Sequence, residues 1–284
     1  MRFAVFTVCM PELTPEEAVA ALRDLGYEGV EWRVTDQAPS VDGQPGFWAG
    51  NRCTWPLAGL LADAPRIRAL SDGAGLAMPN LGTYVTCQDL PAVETATRGA
   101  AALGAPQLRV NVPKYDGTVG YRALRDRSLA EYREVAALAA RHNVRALIEL
   151  HHGSLLPSAS AAAAFLAPFD PRHVGVIHDA GNMVYEGYEA YPLGLETLGP
   201  YLAHVHLKNA RWQPAGTRPD GSLAWQAEAA PLTAGIVDIP ALFRALRQVG
   251  YDGWVSLEDF STEQPTLARL RDDLAYLRTL APPV

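Results

Sequence analysis

The chain has 284 residues, 49% of them hydrophobic and 19% charged, which is enough apolar material for one large core and too much for a disordered chain. Twenty-four Lys and Arg against 31 Asp and Glu leave a net charge of −7, which argues against nucleic acid as a partner, because phosphate backbones are held by clustered cations. Three scattered cysteines, Cys9, Cys53 and Cys87, have no CxxC spacing, so they suggest neither a disulfide framework nor a zinc knuckle and fit a reducing cytoplasm.

In chain order, short β-rich runs alternate with Ala/Leu/Arg-rich segments of helical period, the pattern of parallel βα units. The opening MRFAVFTVCM lacks the basic run and cleavage pattern of a signal sequence and reads as a first strand. The helix TPEEAVAALRDLG follows, with Thr14 as its cap, Pro15 in its first turn and Gly26 as its stop. GVEWRV is the second strand, and a long loop from about Thr35 to Leu60 carries Trp48 and Trp55. LAMPNLG and QLRVNVP are the third and fourth strands, flanking a helix that begins at Asp89. RALIELHH, VGVIHDAG and LAHVHLKN are the fifth to seventh, each preceded or followed by a helical or turn segment. A second long loop, about Arg211 to Val237, carries Trp212 and Trp225, and the helix IPALFRALRQVG then leads to the eighth strand, GWVSLEDF, and a closing helix, PTLARLRDDLAYLRTL. Eight such units over residues 1–284 predict a single (β/α)8 TIM barrel domain. An open doubly wound sheet is the alternative, but no GxGxxG or GxxxxGKS/T supports it, and no run reaches the roughly 18 apolar residues of a membrane span.

Active sites of such barrels lie at the C-terminal ends of the strands, and five of the seven histidines fall in or beside the fifth to seventh strands. Alternation of side chains along each strand decides which polar residues face the axis. Leu147, Glu149 and His151 share one face, with Ile148 and Leu150 behind; His204, His206 and Lys208 share another, with Val205 and Leu207 behind. Asp179 lies opposite Val176 and His178 in direction, and Ser256 and Glu258 oppose Val255 and Leu257. The inward residues nearest the catalytic face are therefore Glu149, Asp179, His206 and Glu258. Three carboxylates and an imidazole on one axis repel one another unless a cation joins them, and this hard donor set suits Mn²⁺, with Mg²⁺, Co²⁺ or Zn²⁺ as alternatives.

The segments IELHHG, HDAGNM, HVHLKN and WVSLEDF, with the opening TPEEAVAALRDLGYEGVEW, resemble the xylose-isomerase-like sugar isomerases and epimerases, the group of the ketose 3-epimerases and inosose dehydratases. The resemblance spans essentially the whole chain. It implies metal ligation by Glu149, Asp179, His206 and Glu258, with Glu149 and Glu258 also serving as acid and base. Where ketose epimerases carry a histidine three residues after the metal-binding aspartate, this chain has Asn182, and where they carry an arginine after the seventh-strand histidine, it offers Arg211 or Trp212. The HxHxK run ending in Lys208 is more similar to the inosose dehydratase branch.

The expected chemistry is enolisation next to a carbonyl, through an enediolate whose proton moves between the two glutamates. The expected substrate is a small sugar or polyol. Lys208, Asn182, Arg211, His151, Trp212, Trp48 and Glu31 are the expected substrate contacts, Lys208 toward a substrate oxygen and the tryptophans as flat faces for a sugar ring. Loss of a β-hydroxyl from the same intermediate would instead make a dehydratase or lyase. A non-enzymatic sugar-binding barrel is a further alternative, and a homo-oligomer is compatible with the sequence. An apurinic-site endonuclease needs extra histidines on the early strands, and EWRV, PNLGTY and RVNVP supply none.

Overall fold

Thr14 and Glu17 form a reciprocal capping box, Pro15 fills the first turn, and Gly26 ends the same helix in the left-handed region at φ 90°, so one βα unit is punctuated as its sequence dictates. The computed structural model describes residues 1–281. Its elements are β1 (Arg2–Phe6), α1 (Pro15–Leu25), β2 (Gly29–Val34), β3 (Thr54–Trp55), α2 (Leu60–Gly73), β4 (Leu81–Thr83), α3 (Leu90–Leu103), β5 (Gln107–Arg109), α4 (Tyr121–His142), β6 (Arg145–Glu149), α5 (Ala159–Leu166), β7 (Val174–Asp179), α6 (Ala180–Tyr185), α7 (Tyr191–Leu198), β8 (Leu202–Leu207), β9 (Asn209–Thr217), β10 (Leu223–Ala230), α8 (Ile239–Gln248), β11 (Trp254–Leu257) and α9 (Thr266–Leu280).

Eight parallel strands, β1, β2, β4, β5, β6, β7, β8 and β11, pair in sequence, and β1 pairs with both β2 and β11, which closes the ring. This is the (β/α)8 TIM barrel that the eight βα units predict. The apolar core lies between strands and helices, where Val30, Trp32, Ile148, Val205 and Leu257 are buried against the outer layer. The barrel interior is filled differently. Phe6 spans it, and Gly82 makes room, since a Cβ at Gly82 would lie 2.2 Å from the Phe6 ring. The remaining inward positions near the top are largely polar, which positions a site rather than a plug.

Three details differ from expectation. The third-strand run is interrupted: Ala77 bridges to Gly29, and the strand proper spans only Leu81–Thr83, because Pro79 between them has no N–H to give to a ladder. The long connection after β2 contributes β3, which pairs with Arg33 and Val34. The connection after β8 is not an irregular loop but an antiparallel hairpin of β9 and β10, with a register shift between Leu223 and Trp225. Its turn holds Asp220 and Gly221, the latter at φ 83°, a pairing favoured where positive φ is required. Among the described residues no helix is long and apolar enough to cross a membrane.

Candidate active site

Strand register brings the expected residues to one level. Asp179 pairs with His206 across β7 and β8, His206 pairs with Ser256 across β8 and β11, and Glu258 follows at the end of β11. Glu149 ends β6. Ligand atoms of Glu149, Asp179, His206 and Glu258 all lie within 4.8 Å of one another, and all four residues are buried. Asp179 also caps α6, accepting from the Asn182 N–H at 2.9 Å, so the helix start fixes its carboxylate.

Two cations, together with Glu31 and His204, surround this cluster. Arg109, inward at the end of β5, donates from Nη1 to Glu149 Oε2 at 2.5 Å and from Nε to the Thr83 carbonyl at 2.9 Å. Lys208 Nζ lies 2.5 Å from Asp179 Oδ2, bonds Glu258 Oε2 and stands 3.9 Å from Glu149 Oε1. His206 Nδ1 faces Glu149 Oε1 at 3.1 Å, and its ring stacks on Phe6 with centroids 5.5 Å apart. Below it, Glu31 contacts both His204 and His206.

These neighbours set the ionisation of the group. Burial pushes the Glu149 carboxyl up, but Arg109 and His206 outweigh it and hold the pKa well below the usual carboxylate range. Burial raises the pKa of Glu258 and Asp179, with Lys208 opposing and Glu149 adding to the rise in both. For His206, burial disfavours the charged ring, yet Glu31 and Glu149 on its two sides hold its pKa well above the usual value. Burial likewise opposes the Lys208 ammonium, and Asp179 and Glu258 more than offset it.

The donor set fits a divalent cation. Glu31, Glu149, Asp179 and Glu258 are four buried carboxylates, while Arg109 and Lys208 are the two permanent cations in contact with them. With His206 also charged, as its raised pKa favours, one negative charge is left over at a place where water cannot screen it. Three carboxylate oxygens and one imidazole nitrogen form the hard set that Mn²⁺ or Mg²⁺ takes.

Above the cluster opens a cavity of about 680 Å³. Glu149 and Glu258 line it, as do four of the expected contacts: Lys208, Asn182, His151 and Trp48. Asn182 donates to Glu149 Oε1 at 3.3 Å and to the Leu150 carbonyl at 3.1 Å. Trp48 packs on Phe260, centroids 5.0 Å apart, and Phe260 lies 5.6 Å from Lys208 Nζ. His151, His152 and Tyr185 stack in series on the facing wall, at 4.3 and 4.4 Å.

Three expected contacts lie elsewhere. Glu31 is fully buried beneath His206 and does not line the cavity, because its position on β2, level with Phe6 on β1, is below the cluster. Arg211 is drawn off by Glu228 at 2.8 Å and Glu263 at 3.2 Å. Trp212 donates its indole N–H to the Val184 carbonyl at 2.9 Å, which ties the hairpin to the end of α6. Both follow from the hairpin register, which sets Arg211 opposite Glu228 and Trp212 opposite Ala227. Arg109, Tyr84 and Phe260 are site residues that the sequence reading passed over. The alternation Gln107, Arg109 against Leu108, Val110 was a usable signal for the first of them.

Comparison with known proteins agrees with this architecture. A model of the family "Xylose isomerase-like TIM barrel" matches residues 19–280. An inosose dehydratase of Geobacillus thermodenitrificans is 25% identical over 139 residues, which is 46% of this chain and 45% of that protein; the chain is thus matched to just under half the length of that relative. Two solved structures share the fold over nearly all of both chains. The 3-keto-D-glucoside 4-epimerase YcjR of E. coli has a TM-score of 0.73 at 18% identity, covering 98% of this chain and 99% of that one. A xylose isomerase-like protein of Mycobacterium smegmatis in complex with magnesium has a TM-score of 0.71 at 18% identity, covering 98% and 96%. With the closed barrel, the late-strand motifs and a family match over most of its length, the chain belongs to the xylose isomerase-like TIM barrel family.

Proposed function

We propose that the protein is a divalent-metal-dependent isomerase or epimerase of a small sugar or polyol, working by proton transfer between Glu149 and Glu258. The observation that carries this is the buried cluster of three carboxylates and one imidazole at the floor of a cavity, with one negative charge more than Arg109 and Lys208 offset. Glu149, Asp179, His206 and Glu258 would hold the ion, with Mn²⁺ the preferred choice for this donor set. When bound, a divalent ion supplies a Lewis acid that makes the hydrogen beside a substrate carbonyl easier to remove.

The chain's own groups divide the remaining work. Glu149 and Glu258 come from β6 and β11, on different sides of the axis, so one can take the proton from carbon and the other can return it. Arg109 keeps Glu149 ionised at neutral pH, in the form that can accept a proton. Lys208, bonded to Glu258 and lining the cavity, donates toward the substrate oxygen on which charge develops. The aromatic walls exclude water from the enediolate.

A dehydratase is the second reading. The inosose dehydratase relative favours it, as does Lys208, an ammonium placed where a departing hydroxyl could take a proton.

The test is to load the protein with Mn²⁺, Mg²⁺ or Co²⁺, determine the metal by elemental analysis, and follow solvent deuterium entering candidate ketoses and inososes. Asp179→Ala should lose metal and exchange together. Glu149→Gln and Glu258→Gln should keep the fold and lose activity by on the order of 100-fold or more. Water loss in the product mass would select the dehydratase. Near-normal exchange in either Gln variant with bound metal would refute the glutamate pair.

A further inference from the structure

Glu31 has no task in the proton transfer, yet it is a fully buried carboxylate directly behind the imidazole of the cluster. Its Oε1 lies 3.0 Å from His206 Nε2 and 2.8 Å from Asn80 Nδ2. Its Oε2 lies 3.2 Å from His206 Nε2 and 3.0 Å from His204 Nε2. An ionised carboxylate can only accept hydrogen bonds, so each of the three nitrogens facing it must carry a hydrogen. Three donors to one buried anion also account for how its charge survives away from water.

For His206 the consequence is a choice of tautomer. With Nε2–H held by Glu31, the nitrogen left to give up its proton to an ion is Nδ1, which faces Glu149 Oε1 at 3.1 Å and Glu258 Oε2 at 3.9 Å. A lone pair set among carboxylates is repelled by them and is useful there only toward a cation. Phe6 packs on the His206 ring, with centroids 5.5 Å apart.

We infer that Glu31 is a positioning residue that fixes His206 as the Nε2–H tautomer and so presents Nδ1 to the metal. The inference rests on the metal-dependent reading of the cluster. Asn80 and His204 act through Glu31, by holding the two oxygens in place. The donated Nε2–H also makes Nδ1 more electron-rich, which is how an outer carboxylate strengthens a histidine–metal bond. Glu31, His204 and His206 themselves have ligand atoms within 4.8 Å of one another, so a second ion behind His206 is the competing arrangement. The geometry disfavours it, because Glu31 already accepts from three donors and neither Glu31 nor His204 reaches the cavity.

The test is ¹⁵N-histidine NMR on the full chain with Mg²⁺ or Zn²⁺ as a diamagnetic probe, together with calorimetric titration of the same ions. Wild type should show His206 protonated at Nε2 alone, with one ion per chain. Glu31→Gln should shift His206 toward the Nδ1–H form and weaken ion binding about 10- to 100-fold, and Glu31→Asp should recover part of the loss. A Gln variant that is less heat-stable but keeps the tautomer and the affinity would reduce Glu31 to a structural role and overturn the inference. So would two ions per chain in wild type, or an Nδ1–H His206 with the ion bound. If Glu31→Gln does not fold, the wild-type tautomer and stoichiometry decide alone. Should wild type bind no ion, the metal reading falls, while a hydrogen-bonded Nε2–H signal of His206 that disappears in Glu31→Asp or Glu31→Gln still tests the contact.

Discussion

Asp273 shows how a single residue outside the cluster answers to its surroundings. Burial in α9 and the nearby Asp259 charge, opposed by Arg269, raise its carboxyl from 3.8 to about 8. A folded pKa above the unfolded one means that the native state favours the protonated form. That contribution to stability is complete below the unfolded value and is lost as pH rises through the folded one. Thermal midpoints should therefore decline between about pH 4 and pH 8, and Asp273→Asn, which cannot ionise, should flatten the decline. A variant as pH-sensitive as wild type would place the effect elsewhere. At the same scale, the sequence made some residues legible and others not. Glu149, Asp179, His206 and Glu258 could be read because alternation on late strands fixes direction, and register then does the rest. Glu31 was legible as inward-facing but not in its depth, since alternation does not say how far along the axis a strand has risen.

Among the elements, the two tryptophan-bearing connections separate into different kinds of part. The segment after β2 sends Trp48 to the cavity mouth, where it is 57% exposed and rests on Phe260. The β9–β10 hairpin instead anchors itself with Trp212 to α6 and with Arg211 to Glu263. Substitution of Trp48 by Ala should accordingly raise KM by several-fold with little change in melting temperature, because the ring lines the cavity while much of it is left unburied by the fold. Trp212→Ala should loosen the hairpin, seen as faster amide exchange over β9 and β10, with a smaller change in KM. Equal KM effects would contradict this division. The hairpin was hard to foresee because Pro214 and the shift between Leu223 and Trp225 interrupt the alternation that marks a strand. The eight staves were easy, since each apolar run sits between a capped helix start and a glycine or turn.

On the scale of the whole molecule, the closed ring places contributions from the two ends of the chain side by side. Phe6 from β1 lies under His206 from β8, and Glu31 from β2 bonds the same ring. Helices α1 and α9 meet through Arg278, which donates to the Gly26 carbonyl at 2.8 Å. Closure is therefore needed for the site as well as for the core.

Three of the supports come from one half of the chain, and the candidate ligands, with His204 and Lys208, from the other. Glu31, Asn80 and Arg109 precede the exposed stretch at Asp116–Gly120; Glu149, Asp179, His206 and Glu258 all follow it. A gene cut at that stretch would make two fragments with separate competences, one owning every candidate ligand together with His204 and Lys208, and the other owning Glu31, Asn80 and Arg109. The second fragment alone should bind Mn²⁺ weakly and without deuterium exchange, and mixing with the first should restore both, as reassembled half-barrels. Tight binding by the lone C-terminal fragment would mean that its ligands need no outside alignment. If instead the halves must meet, the chain behaves as an obligate heterodimer whose two subunits happen to be joined by a peptide bond.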